Sequence, residues 1–200
     1  MVLGLSPNQL SGLSALCSFS AIALVALAAP TVFVAMSVAG LLVLGYALDS
    51  ADGQVARLTG LGSPFGEWLD HMIDCAKISA LHLAVAIHVF RFSGLGATWV
   101  LVPLAFVFVA NVLFFGMILT DQLRRAAGAD PLKKASSLSV VRALAILPTD
   151  FGALCLVFVT LAWPTLFVGL YSVMLVGCAA LLLAALGRWA RQLRAIAVAP

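Results

Sequence analysis

Apolar runs of roughly 20 residues recur along this chain, and each is long enough to cross a hydrocarbon core about 30 Å thick. The stretches "LVPLAFVFVANVLFFGMIL" (101–119) and "TLFVGLYSVMLVGCAALLLAAL" (165–186) carry no charged residue. A water-soluble helix of that length would show a polar face at the 3.6-residue period, and most of these runs show none. Barrel strands alternate apolar and polar positions over short segments, which these runs do not. The sequence therefore predicts an all-α, polytopic membrane protein. Composition agrees: 64% hydrophobic and 10% charged residues stand well away from the roughly 45–50% apolar and about 25% charged of soluble domains.

Six transmembrane helices are expected, at about Leu10–Ala29, Thr31–Leu48, Phe65–Phe90, Ala97–Leu119, Leu138–Ala162 and Thr165–Leu186. Ser6 and Pro7 suit a helix start. The first run is read as a retained span, because no Lys or Arg precedes it and more spans follow. No repeat or soluble insert divides the chain, so residues 1–200 read as one membrane domain. Cys17, Cys75, Cys155 and Cys178 stand singly, which argues for neither a disulfide nor a zinc site.

With six spans, Arg57, Arg124, Arg125, Lys133, Lys134, Arg188, Arg191 and Arg194 fall on one side and Arg91 on the other. Excess Lys and Arg marks the cytoplasmic side. Both termini are thus expected to face the cytoplasm, in the cell (inner) membrane. Trp68, Trp99, Trp163 and Trp189 lie near span ends, where indoles anchor at headgroup level. They are read as anchors and not as stacking platforms for nucleic acid.

Five of the eight acidic residues fall between Asp49 and Asp74, in "DSADGQVARLTGLGSPFGEWLDHMID". Carboxylates this close repel one another, and Arg57 and Lys77 are too few to neutralise them. Asp49 and Asp52 are three apart, and Asp70 and Asp74 four apart, so each pair shares a helix face with Cβ atoms about 5–6 Å apart. Two such pairs on neighbouring helices give four inward carboxylates around one cavity. Oxygen-only ligands suit Mg²⁺ or Mn²⁺ over zinc or copper, and two such ions can serve the attacking and leaving oxygens of a displacement. Between the pairs, Gly53 and Ala56 are small and Arg57 offers a planar fork for phosphate oxygens. Gly66, one turn before Asp70, keeps that face open.

Asp49-x-x-Asp52-Gly53-x-x-Ala56-Arg57, eight residues, then Gly66-x-x-x-Asp70-x-x-x-Asp74 resembles the signature of the CDP-alcohol phosphotransferases at every fixed position. Its placement across the second and third spans, and Pro7-Asn8 ahead of the first, are also similar to that family. The resemblance implies displacement of CMP from a CDP-alcohol, commonly CDP-diacylglycerol, by a hydroxyl acceptor in phospholipid biosynthesis. It implies that Asp49, Asp52, Asp70 and Asp74 hold two divalent cations (Mg²⁺ or Mn²⁺) and that Asp74 is also the general base. It further implies that Asp52, Gly53, Ala56, Arg57 and Gly66 line the nucleotide site, and that the protein is a homodimer among membrane lipids.

Lys133, Lys134, Arg142 and Arg188 approach the same side. Turned inward, they would favour a phosphorylated acceptor such as glycerol 3-phosphate or an inositol phosphate. Arg142 and Asp150, eight apart, fall within about 80° of one another on a continuous helix. The competing class is a divalent-cation transporter or channel, which uses intramembrane acids as an ion path. It accounts for the carboxylates but not for Gly53, Ala56, Arg57 and Gly66. His71, His82 and His88 are read as packing or interfacial residues, since His71 points about 100° away from Asp70 on a helix.

Overall fold

The computed structural model describes residues 6–60, 62–128 and 149–197, and these contain helices and no strand. Helix α1 (Pro7–Leu27) opens with a reciprocal cap: the Gln9 amide donates to Ser6 Oγ, and the Ser6 amide donates to Gln9 Oε1 at 2.9 Å. Thr31 caps α2 (Val32–Thr59) in the same N-terminal manner, and Gly60 ends it in the left-handed region at φ 67°. The chain then restarts at once. Ser63 Oγ accepts from the Gly66 amide at 3.0 Å, and Pro64 takes the first position of α3 (Pro64–Phe92), where a missing N–H costs nothing.

After a 3-10 turn at Ala97–Val100, α4 runs Leu101–Ala126. A short α5 (Phe151–Val157) continues as a 3-10 turn to Thr160, and α6 (Pro164–Ala197) closes the described chain. Five helices are long and apolar enough to span a membrane: α1, α2, α3, α4 with its leading turn, and α6.

The expected fifth span lies partly outside the described residues; its described part is the shorter apolar helix Phe151–Thr160. Asp150, expected inside that span, has extended backbone. It caps α5, with Oδ1 accepting from the Ala153 amide at 2.9 Å. A helix that starts at Asp150 removes the continuous-helix argument for its sharing a face with Arg142. An aspartate at that position is worth more as a cap for orphan amides than as a mid-helix charge.

The helices form a closed ring. α1 packs on α2 and α3, α3 on α4, α4 on α6, α6 on α5, and α5 on α2. Ala21 and Val25 of α1, Val38 and Leu42 of α2, Leu81 and Val85 of α3, Phe106 of α4, and Phe167 and Tyr171 of α6 fill the interior. Phe33, Phe90, Phe108, Val176 and Leu183 point outward, as lipid-facing side chains do. Between α1 and α2 the contact is small and polar: Ser14 Oγ donates to the Gly45 carbonyl at 2.8 Å. Where lipid is as apolar as the side chains, such close backbone approach carries helix association.

His82 pairs with the Tyr171 hydroxyl and stacks on Phe106, and His88 Nδ1 donates to the Val25 carbonyl at 3.0 Å. Both are core contacts. Trp189 departs from the expected anchor role: it is buried against Gly116 of α4, where a Cβ would lie 2.6 Å from its ring. Trp68, Trp99 and Trp163 are exposed.

Candidate active site

Because α1 and α3 start, and α2, α4 and α6 finish, at one end of the bundle, the acidic stretch is assembled there. The second span was expected at Thr31–Leu48 with Asp49 and Asp52 on a helix face at its end, and the helix that holds it, α2, runs on to Thr59. Its 28 residues make about 42 Å of helix at 1.5 Å per residue, longer than a hydrocarbon core of about 30 Å. The extra turns carry Asp49, Asp52, Gly53, Ala56 and Arg57, and α3 returns with Gly66, Asp70 and Asp74.

The two helices bring all four aspartates into one cluster. Carboxylate oxygens of Asp49, Asp52 and Asp70 lie within 4.8 Å of one another, and those of Asp70 and Asp74 lie within the same distance of a His71 ring nitrogen. Asp70 belongs to both groups. Oxygens so spaced fit a donor set for hard divalent cations, which carboxylates bind in preference to softer metals.

Asp49, Asp52 and Asp74 are each held by a neighbour among the described residues. Ser11 Oγ of α1 donates to Asp52 Oδ2 at 2.5 Å, and Ser14 Oγ reaches Asp49 Oδ1 at 3.2 Å. Lys77 is buried, and its Nζ donates to Asp49 Oδ1 at 2.5 Å and to Asp74 Oδ1 at 2.7 Å. Lys77, expected only to neutralise the acids in part, thus bridges two of them, and the serines are contacts that the acidic stretch alone does not reveal. Two spacings signal them. Asp70, Asp74 and Lys77 recur at four and three residues, hence on one face of α3, and Ser11, Ser14 and Ser18 do the same on α1.

Arg57 is exposed and folds back over its own helix, with Nη1 3.5 Å from where a Gly53 Cβ would stand. A Cβ at 53 would stand in van der Waals contact with that guanidinium, and a larger side chain would reach into its place. Gly66 is tight for a different reason: a Cβ there would sit 3.3 Å from Ser63 Oγ and 3.5 Å from Asn8 Oδ1. Asn8 thus closes over the start of α3. Ala56 is half-buried.

Glu67 lies outside the cluster. Its Oε1 accepts from Arg125 Nη1 at 2.9 Å, and Arg125 Nη2 also pairs with Asp121 at 2.7 Å. This network ties the end of α4 to the start of α3. His71 stands 3.9 Å from Glu67 and edge-on to Phe114, so it faces α4 as well as the aspartates. Beyond it an apolar groove of about 550 Å³ runs between α3 and α4, past Trp68, Met72, Cys75 and Phe115. Arg188 is exposed on α6. Lys133, Lys134 and Arg142 lie outside the described residues.

No curated protein matches the chain. A family model described as CDP-alcohol phosphatidyltransferase matches residues 4–186, a span that takes in α1, the whole acidic cluster and most of α6. With all-α membrane architecture and a carboxylate cluster at the ends of two spans, this chain belongs to the CDP-alcohol phosphatidyltransferase family.

Proposed function

We propose that this single membrane domain transfers a phosphatidyl group from CDP-diacylglycerol, or a related CDP-alcohol, to a small hydroxyl acceptor with release of CMP. The observation that carries this reading is the convergence of Asp49, Asp52, Asp70 and Asp74 from two helices, in a chain of a family built around that chemistry. A cation channel would have no use for the Gly53–Arg57 and Gly66 arrangement beside those acids.

Asp49, Asp52, Asp70 and Asp74 would hold two divalent cations, Mg²⁺ or Mn²⁺. When bound, these supply charge stabilisation to the diphosphate and to the departing CMP oxygen. Asp74 takes the proton of the acceptor hydroxyl, because an alcohol is a poor nucleophile at neutral pH until a carboxylate within reach accepts that proton. Lys77 and Ser14 fix Asp49, Lys77 fixes Asp74 and Ser11 fixes Asp52, so the carboxylates are oriented before substrate arrives. Arg57 presents its guanidinium fork to phosphate oxygens. Gly53, Ala56 and Gly66 leave room for the nucleotide.

The distribution of basic residues supports a cytoplasmic location for this end. Arg124, Arg125, Arg188, Arg191 and Arg194 lie near it, while Arg91 bonds the Ala26 carbonyl at the opposite end. The diphosphate then meets water while the acyl chains remain in lipid. Lys133, Lys134, Arg142 and Arg188 favour a phosphorylated acceptor, glycerol 3-phosphate or an inositol phosphate, and the working unit is a homodimer.

The test is CMP release from CDP-diacylglycerol by purified protein with glycerol 3-phosphate, inositol 1-phosphate, inositol, serine or choline as acceptor. Release with one of the two phosphorylated acceptors is expected. Release only with serine or choline would overturn the acceptor assignment, and no release with any would overturn the transfer reading.

A further inference from the structure

Lys77 is the one cation bonded to the four aspartates among the described residues, and it bonds one member of each oxygen group: Asp49 of the first and Asp74 of the second. Its stem rises from the interior of α3, and the residue is 5% exposed, so bulk water cannot readily replace the ammonium. Of the other charged or titratable groups nearby, Glu67 pairs with Arg125, Arg57 lies exposed over Gly53, and a His71 ring nitrogen stands beside Asp70 and Asp74.

The charge balance has a consequence for ion binding. With all four carboxylates ionised, as metal ligands must be, one ammonium leaves three uncompensated negative charges. One divalent cation reduces these to a single negative charge, and a second would leave the pocket positive. At short range and low effective dielectric that reversal is costly. The charge that offsets it is the substrate's own diphosphate, since magnesium sites commonly combine a few carboxylates with substrate phosphates.

We infer that Lys77 is a positioning residue that makes the metal site sequential: the free protein holds one divalent cation, and the second enters with the diphosphate. The inference rests on the metal-dependent reading above. In the free protein the ammonium bridges the helices in the second ion's stead, keeping Asp49 and Asp74 together. On substrate binding it gives up part of that contact to the incoming ion.

Mn²⁺ binding followed by electron paramagnetic resonance tests this without turnover. Wild-type protein in detergent is expected to bind one Mn²⁺ tightly, and a second at least tenfold more weakly until CDP-diacylglycerol is added. Lys77→Met, uncharged and similar in length, should bind both ions without nucleotide, and its metal-free thermal midpoint should fall while its Mn²⁺-loaded midpoint recovers. Lys77→Arg should keep the wild-type pattern. A lysine serving only as a structural strut would lower both midpoints and leave the second ion weak; that result overturns the inference. So does Lys77→Met protein that cannot be recovered even when purified in Mn²⁺. Wild-type protein that binds no Mn²⁺ at millimolar concentration overturns the metal reading itself. Two equally tight ions in wild-type protein remove only the role given to Lys77.

Discussion

Ser11 of α1 donates a 2.5 Å hydrogen bond to Oδ2 of Asp52 on α2. A helix outside the acidic stretch thus orients one of its carboxylates, and this contact is buried. Removing the hydroxyl strands a carboxylate oxygen that has little water to turn to. Ser11→Ala is expected to lower CMP release or Mn²⁺ affinity by about 10–100-fold, the usual effect of losing a residue that orients a metal ligand. Ser11→Thr, which keeps the hydroxyl, should recover most of it. Isothermal titration with Mn²⁺ beside a CMP assay reads both.

Gly45 tests the α1–α2 contact that places Ser11 and Ser14. A Cβ at that position would collide with Ser18 Oγ and stand 3.2 Å from the Ser14 carbonyl oxygen. The neighbouring groups are partly backbone and cannot move aside cheaply. Gly45→Ala should destabilise the protein by about 1–3 kcal/mol, the range for overpacking a close interior. The measurement is the thermal midpoint in detergent. An unchanged midpoint would show that the helices separate freely there.

Asp74 carries the proposed proton transfer. Asp74→Asn keeps the side chain's size but accepts no proton, so turnover should fall by about 100-fold or more. The variant should still fold and still bind the CDP substrate. Near-normal turnover would assign the base elsewhere. A loss of folding in metal-free and metal-loaded protein alike would instead point to the Lys77 contact as the dominant role of this residue.

Arg57 and Gly53 act on the nucleotide side. Gly53→Val would push a branched side chain toward a guanidinium now 3.5 Å from the Cβ position. The expected result is a rise of about tenfold or more in KM for CDP-diacylglycerol, a discrimination of 1.4 kcal/mol or more, with Mn²⁺ binding to the free protein unchanged. Lost Mn²⁺ binding in this variant would mean that position 53 shapes the carboxylates as well.

Much of this was legible in the residues. Uninterrupted apolar length gave the helical membrane class, and the three- and four-residue spacing of the aspartates gave the shared faces that the structure brings together. The second span was drawn only to Leu48 because hydropathy falls where charge begins at Asp49, while the helix stops only where Gly60 reverses the backbone. Membrane boundary and helix boundary are different physical events. Asp150 looked like an intramembrane charge because a span was drawn through it; its backbone makes it a cap. The grip of Ser11, Ser14 and Lys77 on the cluster depends on which helices neighbour one another. Spacing along a single helix exposes a polar stripe but not the face it meets.

The most direct measurement is CMP release from CDP-diacylglycerol by purified protein in lipid vesicles, compared in Mg²⁺, in excess EDTA, and in Asp70→Asn, which alters the residue common to both oxygen groups. Release is expected in Mg²⁺, with its loss in EDTA, recovery on adding Mg²⁺ or Mn²⁺, and a fall of about 100-fold or more for Asp70→Asn, as when transition-state charge loses its stabilising group. Undiminished release in EDTA together with near-normal release by Asp70→Asn would contradict metal-dependent transfer at this cluster.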